Sequence, residues 1–326
     1  MLDIKGLFTK EAIVTRLKDM PDLKTPVMDA LFTDRPQHPL PLLGKDEVLD
    51  VAAALPLVRR GGASVAAAPA GVTVDFFEPL PVRPSVQVTG AELNNLKLLD
   101  SGGLEAWARN KTDYLRKRVR ATTEALCALA TSGAVTYPVK LEGGGWENFE
   151  VSFGALLAVT PGVLWGAAGA KLKDVMQCLI AMRKSIQVKG FGGSELEVWA
   201  GEDAYMALFA LAEASQTTAK LRVEITDDAI QVGGFAVKLR AETWKNPQTS
   251  ALVPYVPAKA VRMIAKDAGH KCPYCALDDL DANLQALPFF VKPVKTDDPS
   301  GYKLIGESKP FPVVNVNGIS QATVLS

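Results

Sequence analysis

Residues 104–131 read LEAWARNKTDYLRKRVRATTEALCALAT, the longest helical pattern in a chain of 326 residues. Its apolar stripe advances in steps of four and seven, the eleven-residue repeat of a nearly straight helix, at Leu104, Ala108, Leu115, Val119, Leu126 and Ala130. Asp100 or Ser101 can cap its start, and Gly133 marks its end. At 1.5 Å per residue such a helix spans about 40 Å. We therefore expect it to run along the surface of a domain as a spine.

Basic residues cluster at the centre of this helix, at Arg116, Lys117, Arg118 and Arg120. They form either a solvated charged face or a patch that faces an acidic partner or nucleic acid. The whole chain balances 36 Lys and Arg against 36 Asp and Glu. No global positive field therefore attracts nucleic acid, and any DNA binding must be local.

Two unlike segments precede the helix. Residues 1–44 contain one helical pattern, Thr9 to Leu17, followed by five prolines, which predicts an extended arm rather than a domain core. Glu47 to Val88 alternates apolar and polar residues in two runs around Arg59-Arg60-Gly61-Gly62. This pattern predicts a long hairpin, and since its tip has few large apolar residues, we expect it to project.

The chain after the helix mixes strands and helices. A hairpin is predicted from Val135–Leu141 and Trp146–Phe153, which flank three consecutive glycines. Further helices are predicted at about 172–182 and 202–213, and strands at 196–200, 221–225, 229–239, 302–316 and 319–325. The fold class is therefore α+β, and strands distant in sequence should share a sheet.

Composition argues against several classes of protein. Two histidines, His38 and His270, leave little for hydrolase triads or histidine metal clusters. Four cysteines are too few for a disulfide framework, which favours synthesis in a reducing cytoplasm. The N-terminus lacks the apolar segment of a signal peptide. Residues 151–170 are uncharged, but glycines and Pro161 interrupt them, so we predict strand, turn and loop instead of a membrane helix.

The sharpest chemical motif is Cys272-Pro-Tyr-Cys275, which resembles the active site of glutaredoxins. With His270 it could also supply three ligands of a zinc site, whose fourth ligand is unassigned. Three interpretations remain open: buried structural thiols, a metal site or inter-subunit disulfide, and redox catalysis. A thiol-disulfide oxidoreductase that uses Cys272 and Cys275 is therefore one alternative function.

Three local motifs carry a family resemblance. The predicted hairpin ends in Phe77-Glu-Pro79-Leu-Pro-Val82-Arg83-Pro84, and the helix centre from Tyr114 to Arg120 is rich in Arg and Lys. The chain closes with runs at 296–299, 307–313 and 321–325. In content and order these segments resemble the major capsid proteins of tailed bacteriophages, of the Hong Kong 97 type, and in particular the lambda major capsid protein E family. The resemblance covers about residues 30–326.

The resemblance implies a Hong Kong 97-type α+β fold with four parts. Residues 1–44 would form the N-terminal arm and residues 45–90 the extended hairpin loop. Residues 91–155 and 302–317 would form a peripheral domain with the spine helix. Residues 156–301 and 318–326 would form an axial domain.

The resemblance also implies a structural function without catalytic residues or cofactors. Copies of the chain would assemble into hexamers and pentamers of an icosahedral shell around double-stranded DNA, by way of a precursor shell. Scaffold, portal and decoration proteins would be partners, and the protein would be made in the host cytoplasm and reside in the virion capsid. A cellular nanocompartment shell of the same fold is the other alternative. The residues expected at subunit contacts are Arg59, Arg60, Phe77, Pro79, Arg83 and Pro84.

Overall fold

The computed structural model describes residues 4–44, 76–193, 195–215 and 223–326. The turn predicted at Arg59 to Gly62, and with it most of the predicted hairpin, lies outside the described residues. Within them the chain mixes helices and strands along its length, which confirms the α+β class.

The helices and strands follow the chain in an irregular order. The helices are α1 (Ile4–Leu7), α2 (Lys10–Asp19), α3 (Pro26–Leu31), α4 (Gly90–Leu96), α5 (Ser101–Ala130), α6 (Leu172–Val188) and α7 (Glu202–Ser215). The strands are β1 (Gln37–His38), β2 (Leu43–Gly44), β3 (Phe76–Phe77), β4 (Ser85–Thr89), β5 (Ala134–Lys140), β6 (Trp146–Ser152), β7 (Leu157–Ala158), β8 (Leu196–Ala200), β9 (Val223–Ile225), β10 (Ala229–Val232), β11 (Phe235–Leu239), β12 (Thr243–Lys245), β13 (Leu252–Pro254), β14 (Ala260–Ala265), β15 (Tyr274–Cys275), β16 (Phe290–Thr296), β17 (Gly301–Glu307) and β18 (Ile319–Thr323).

The spine helix predicted from the sequence is α5. Its 30 residues span about 45 Å. Asp100 caps it by accepting a hydrogen bond from the backbone N of Gly103 at 2.8 Å. Gly133 follows with a positive φ of 90°. A Cβ at this position would lie 2.7 Å from the carbonyl oxygen of Gly154, so a glycine is required where the chain turns. Five of the six predicted stripe residues are buried: Ala108, Leu115, Val119, Leu126 and Ala130.

The prediction of an extended arm rather than a domain core needs correction, because part of the N-terminal segment is packed into a core. Val27, Met28 and Phe32 are fully buried, and α3 packs on α5. The interpretation of the prolines as helix breakers is wrong at Pro26. Pro26 occupies the first turn of α3, where a backbone N–H has no partner within the helix, so proline is well tolerated there.

A three-stranded antiparallel sheet, in the order β16-β17-β4, packs on α5. Leu115 of the helix shares a core with Val88, Val291 and Leu304 of the three strands. The strand β16 lies in the range expected to be axial, yet all its residues pair with β17, which lies mainly in the range expected to be peripheral. A domain boundary at residue 301 would therefore divide this sheet.

The largest sheet has seven strands in the order β7-β18-β14-β8-β11-β10-β9. Its core packs against α6 and α7, where Leu179 and Leu208 contact residues such as Val198 and Met263. The last strand, β18, pairs antiparallel with β14 and parallel with β7. Strands distant in sequence do share a sheet, as predicted.

Three strand predictions need correction. Residues 229–239 form a hairpin, because Gly233 and Gly234 adopt positive φ and turn the chain between β10 and β11. The predicted strand 302–316 ends at Glu307, since Pro310 and Pro312 cannot donate ladder hydrogen bonds. The strand β14 was missed because every residue in it is buried, which leaves no alternating pattern to detect.

The uncharged segment 151–170 contains the end of β6, the short strand β7 and irregular chain, as predicted. None of the helices in the described ranges is long and apolar enough to cross a membrane.

Candidate functional site

Two segments that are far apart in the sequence meet where the predicted hairpin joins the body. Residues 76–84 run beside residues 306–313, and we call this junction the hairpin base. The backbone N of Val82 donates to the carbonyl oxygen of Ser308 at 2.8 Å, and Ser308 N donates back at 3.2 Å. Both segments carry motifs of the family resemblance, so the structure brings these motifs together.

Aromatic side chains from the two segments of the hairpin base pack against each other. The ring centroids of Phe77 and Phe311 are 4.7 Å apart. Phe77 also pairs with the buried Leu43 across the two strands β2 and β3, and Pro79 is buried. Two residues expected at subunit contacts, Phe77 and Pro79, therefore pack within their own chain.

A buried lysine joins the two segments on the other side. The side chain of Lys309 is 0% exposed, and its Nζ lies 3.1 Å from Asp278 Oδ2 and 3.6 Å from Glu78 Oε1. A buried ammonium group is costly unless carboxylates compensate it. Lys309 thus ties the hairpin exit, through Glu78, to the loop that carries Asp278.

A second ion pair lies further along the segment that joins β3 to β4. Arg83 Nε is 3.1 Å from Glu307 Oε2, and Glu307 is buried while Arg83 is half-exposed. Burial raises the pKa of Glu307, and the nearby positive charge of Arg83 opposes this shift. Arg83 and the partly buried Pro84 therefore lie at the surface edge of the hairpin base.

The Cys272-Pro-Tyr-Cys275 segment crosses the core beneath the hairpin base. Cys272 N donates to Asp34 O at 2.9 Å, and Cys275 N donates to Lys309 O at 2.8 Å. Both thiols are fully buried. Catalytic thiols need access to their substrates, so this position favours the structural interpretation over the oxidoreductase.

His270 lies in the same core but is not part of a metal-ligand cluster. It is 4% exposed, and Asn315 N donates to its Nδ1 at 3.4 Å. Burial lowers the pKa of its imidazole to about 4. Across the described ranges, no group of three or more His, Cys, Asp or Glu side chains could hold a metal ion. The structure does not bring His270, Cys272 and Cys275 together as ligands.

Three exposed leucines lie on segments of the hairpin base or lead into β2, which pairs with β3, and the sequence predictions did not include them. Leu40, Leu42 and Leu80 are 57%, 41% and 37% exposed. Leu42 precedes β2, and Leu80 follows Pro79 in the segment between β3 and β4. The run His38-Pro-Leu-Pro-Leu was the available signal, because prolines hold apolar side chains on an extended backbone that cannot fold over them.

Arg109 of α5 and two members of the basic cluster, Arg116 and Arg120, have a role that neither prediction anticipated. Arg109 Nη2 donates to Asp19 O at 2.6 Å, Arg116 donates to Pro21 O, and Arg120 Nη2 donates to Thr25 Oγ1 at 3.1 Å. These arginines hold the segment between α2 and α3 against the spine helix. Lys117 pairs with Asp113 of the same helix, and Arg118 lies over the ring of Tyr114.

Glu124 of α5 completes this attachment. Its two carboxylate oxygens accept hydrogen bonds from the backbone N of Val27 at 2.7 Å and of Met28 at 2.9 Å, at the start of α3. Burial raises the pKa of Glu124, and the two backbone hydrogen bonds oppose the shift. The N-terminal segment is therefore fixed by charge-assisted contacts as well as by apolar packing.

The sequence of the chain matches one family model, phage major capsid protein E, over residues 10–324. No curated protein matches the chain significantly.

Solved structures resemble the fold over nearly the whole chain. A putative capsid protein of a prophage of E. coli CFT073 has a TM-score of 0.64 at 13% identity, covering 97% of this chain and 99% of that one. A phage-related protein from Bordetella bronchiseptica RB50 has a TM-score of 0.48 at 13% identity, covering 97% and 96%. An encapsulin from Synechococcus elongatus PCC 7942 has a TM-score of 0.44 at 12% identity, covering 96% and 95%. The Hong Kong 97-type fold expected from the resemblance is confirmed.

Proposed function

Because this chain belongs to the phage major capsid protein E family and is a capsid shell protein, we propose that its copies form hexamers and pentamers of an icosahedral shell that encloses double-stranded DNA. The observation that carries the proposal is the family match, which extends from residue 10 to residue 324. Membership in this family indicates a structural rather than an enzymatic role.

The hairpin base supports the assembly step. The hairpin predicted from the sequence lies mostly outside the described residues and would be attached to the body by Phe77, Lys309 and Arg83. Three leucines on the segments that lead to this attachment and away from it are exposed. Exposed apolar side chains that form one patch are typical of surfaces that other proteins cover, and in this proposal the three leucines form such a patch. Neighbouring copies of the chain would cover Leu40, Leu42 and Leu80.

The predicted contact residues take two different roles in this proposal. Phe77 and Pro79 pack inside their own chain, so they would act by fixing the direction in which the hairpin leaves. Arg83 and Pro84 lie at the edge of the base and would touch a neighbour directly. Arg59 and Arg60, outside the described residues, would make the distal contacts of the hairpin.

The division of the chain into parts remains our proposal. Residues 1–44 would be the arm and residues 45–84 the hairpin loop. The core shared by α5 and the β16-β17-β4 sheet supports a peripheral domain, to which we now assign 85–155 and 290–317. The core of the seven-stranded sheet supports an axial domain of 156–289 and 318–326.

The protein is a component of the virion capsid. Synthesis in the cytoplasm of the host, a precursor shell that later expands, and scaffold, portal and decoration proteins as partners belong to the proposal. Portal and terminase genes next to the gene of this protein would support a phage origin over a nanocompartment.

Electron microscopy of the purified full-length protein tests the proposal. Rings or closed shells with hexameric and pentameric units are expected. Monodisperse monomers, together with thiol-exchange activity that Cys272→Ser abolishes, would instead support the oxidoreductase.

A further inference from the structure

A groove of about 680 Å³ lies between the N-terminal segment, α5, β5 and the hairpin of β12 and β13. Its basic lining comes from three of these elements. Lys24 comes from the N-terminal segment, three residues from α5 and one from β12, so the cations are Lys24, Lys117, Arg118, Arg120 and Lys245. The groove is separate from the hairpin base and from the thiols.

Three of these cations are available to a ligand. In the described part of the chain, Lys24, Arg118 and Lys245 form no ion pair, and all three are exposed. Lys117 and Arg120 already pair with Asp113 and Asp29. The groove therefore presents positive charge that the subunit does not neutralise.

The acidic residues of the groove do not cancel this charge. Glu124 is buried, and both of its oxygens accept hydrogen bonds from backbone N–H groups. Glu242 is paired with Arg240 at 3.4 Å. Glu242 Oε2 has no hydrogen-bond partner among the described residues, but two carboxylates face five cations in this lining, so the charge of the groove stays positive.

The aromatic residues of the groove exclude one mode of recognition. Tyr137 and Trp244 stack on each other with ring centroids 5.4 Å apart, and Trp244 is buried. Proteins that bind single strands offer aromatic faces on which bases stack. Tyr137 and Tyr255, the third aromatic residue of the groove, are partly buried, so the rings offer little face to bases, and the groove is better suited to contacts with a phosphate backbone.

We propose that this groove contacts the phosphodiester backbone of the enclosed DNA duplex through Lys24, Arg118 and Lys245. The proposal rests on the proposed function, which supplies DNA as the occupant. Contacts from flexible, exposed cations to phosphates carry no base specificity and weaken as salt displaces them. Such contacts suit a container that holds DNA of any sequence.

Binding of a fluorescein-labelled duplex to the unassembled full-length subunit, in which the groove is accessible, followed by anisotropy over a series of salt concentrations, tests this site. The test variant is Lys24→Gln/Arg118→Gln/Lys245→Gln. The matched control removes the same charges from exposed positions on and beside α6, as Lys173→Gln/Arg183→Gln/Lys189→Gln. The groove variant should bind the duplex about tenfold more weakly than the wild type, or weaker still. The slope of log affinity against log salt concentration should be smaller in magnitude by about 2 to 3, because each lost phosphate contact removes about 0.9 from the slope. The control should keep the wild-type slope.

Three results would overturn the proposal: an unchanged slope in the groove variant, an equal loss in the control, or binding of poly-glutamate as strongly as the duplex. The last result would indicate an acidic protein segment as the occupant. Electron microscopy of the same proteins separates this test from the proposed function. Failure of the wild type to form shells would count against the proposed capsid function. The difference in salt dependence between the groove variant and the control variant tests whether the groove binds DNA.

Discussion

The seven-stranded sheet and the hairpin base differ in how completely they are buried. In the sheet, Met263 and Leu179 are fully buried between strands and helices. At the base, a buried Lys309 depends on two exposed carboxylates, and leucines face the solvent. The core between the sheet and its helices is closed by its own chain, whereas at the base a charged group is buried and leucines beside it are left uncovered. This difference leads us to expect subunit stability to depend mainly on the sheet and assembly mainly on the base.

The largest expected effect comes from opening the core of the sheet. Leu179→Ala should lower the free energy of unfolding by about 3 kcal/mol, because a fully buried leucine is lost and a cavity remains. Chemical denaturation of the unassembled subunit measures it. Ile180→Ala is the matched control: Ile180 lies next to Leu179 on the same helix but is 49% exposed, so its loss should cost no more than about 0.5 kcal/mol. An equal loss of unfolding free energy in the two variants would contradict the claim that the core of the sheet is closed.

Acid should destabilise the subunit through His270. Burial lowers the pKa of His270 from 6.5 to about 4, so between these values the unfolded chain binds a proton that the folded chain does not. The stability that neutral His270 contributes is full above pH 6.5 and is lost as the pH falls to about 4. The expected loss is about 3 kcal/mol, at about 1.36 kcal/mol per pKa unit.

Denaturation of the wild type and of His270→Gln at pH 7, 5.5 and 4 measures this contribution. The glutamine can still accept the hydrogen bond from Asn315 N, but it does not titrate. The gap in stability between the two proteins should therefore narrow as the pH falls. A constant gap would show that His270 does not titrate in this way.

Phe77→Ala tests the role of the hairpin base, because this change should affect both the stability of the subunit and the attachment of the hairpin. Phe77 is half-buried against Phe311, so its loss should lower the free energy of unfolding by about 2 kcal/mol. Shell yield, measured by sedimentation, should fall further than this loss explains, because the hairpin would leave the body at a less fixed angle. A normal yield of shells would count against the role of Phe77 in assembly.

Lys309→Met should reduce assembly into shells while leaving the stability of the subunit nearly unchanged. Replacing a buried charged group with an apolar one of similar size is often neutral, and Glu78 and Asp278 remain solvated, so the unfolding free energy should change by no more than about 1 kcal/mol. Shell yield should nevertheless fall by about half or more, because Glu78 loses its attachment. Lys295→Met, at an exposed surface pair, is the control and should change neither quantity. A large loss of subunit stability in Lys309→Met would contradict this division.

Local signals in the sequence predicted the spine helix well. The eleven-residue stripe, the cap at Asp100 and the turn at Gly133 each depend on residues that are close together in the sequence. They can therefore be predicted without knowledge of the tertiary structure. The strand β14 could not be predicted, since a strand that is buried on both faces has no alternation. The turn at Gly233-Gly234 was not predicted, although two consecutive glycines are a local signal for a turn.

The candidate site was predicted only in part. Motifs at 77–84 and 307–313 were noticed separately, but nothing local shows that Val82 pairs with Ser308 or that Lys309 is buried against Glu78. The roles of Arg109, Arg116 and Arg120 were missed for the same reason. Their partners are backbone carbonyls and polar side chains of the N-terminal segment, which only tertiary structure brings near.

Sedimentation of the purified full-length protein, wild type against Leu40→Asp/Leu80→Asp, addresses the role of the hairpin base most directly. Both leucines are exposed in the subunit, so the variant should unfold at the wild-type denaturant concentration. We predict that the wild type sediments as shells while the variant remains as subunits. Shells of the variant in wild-type yield would contradict the conclusion that neighbouring copies cover this surface.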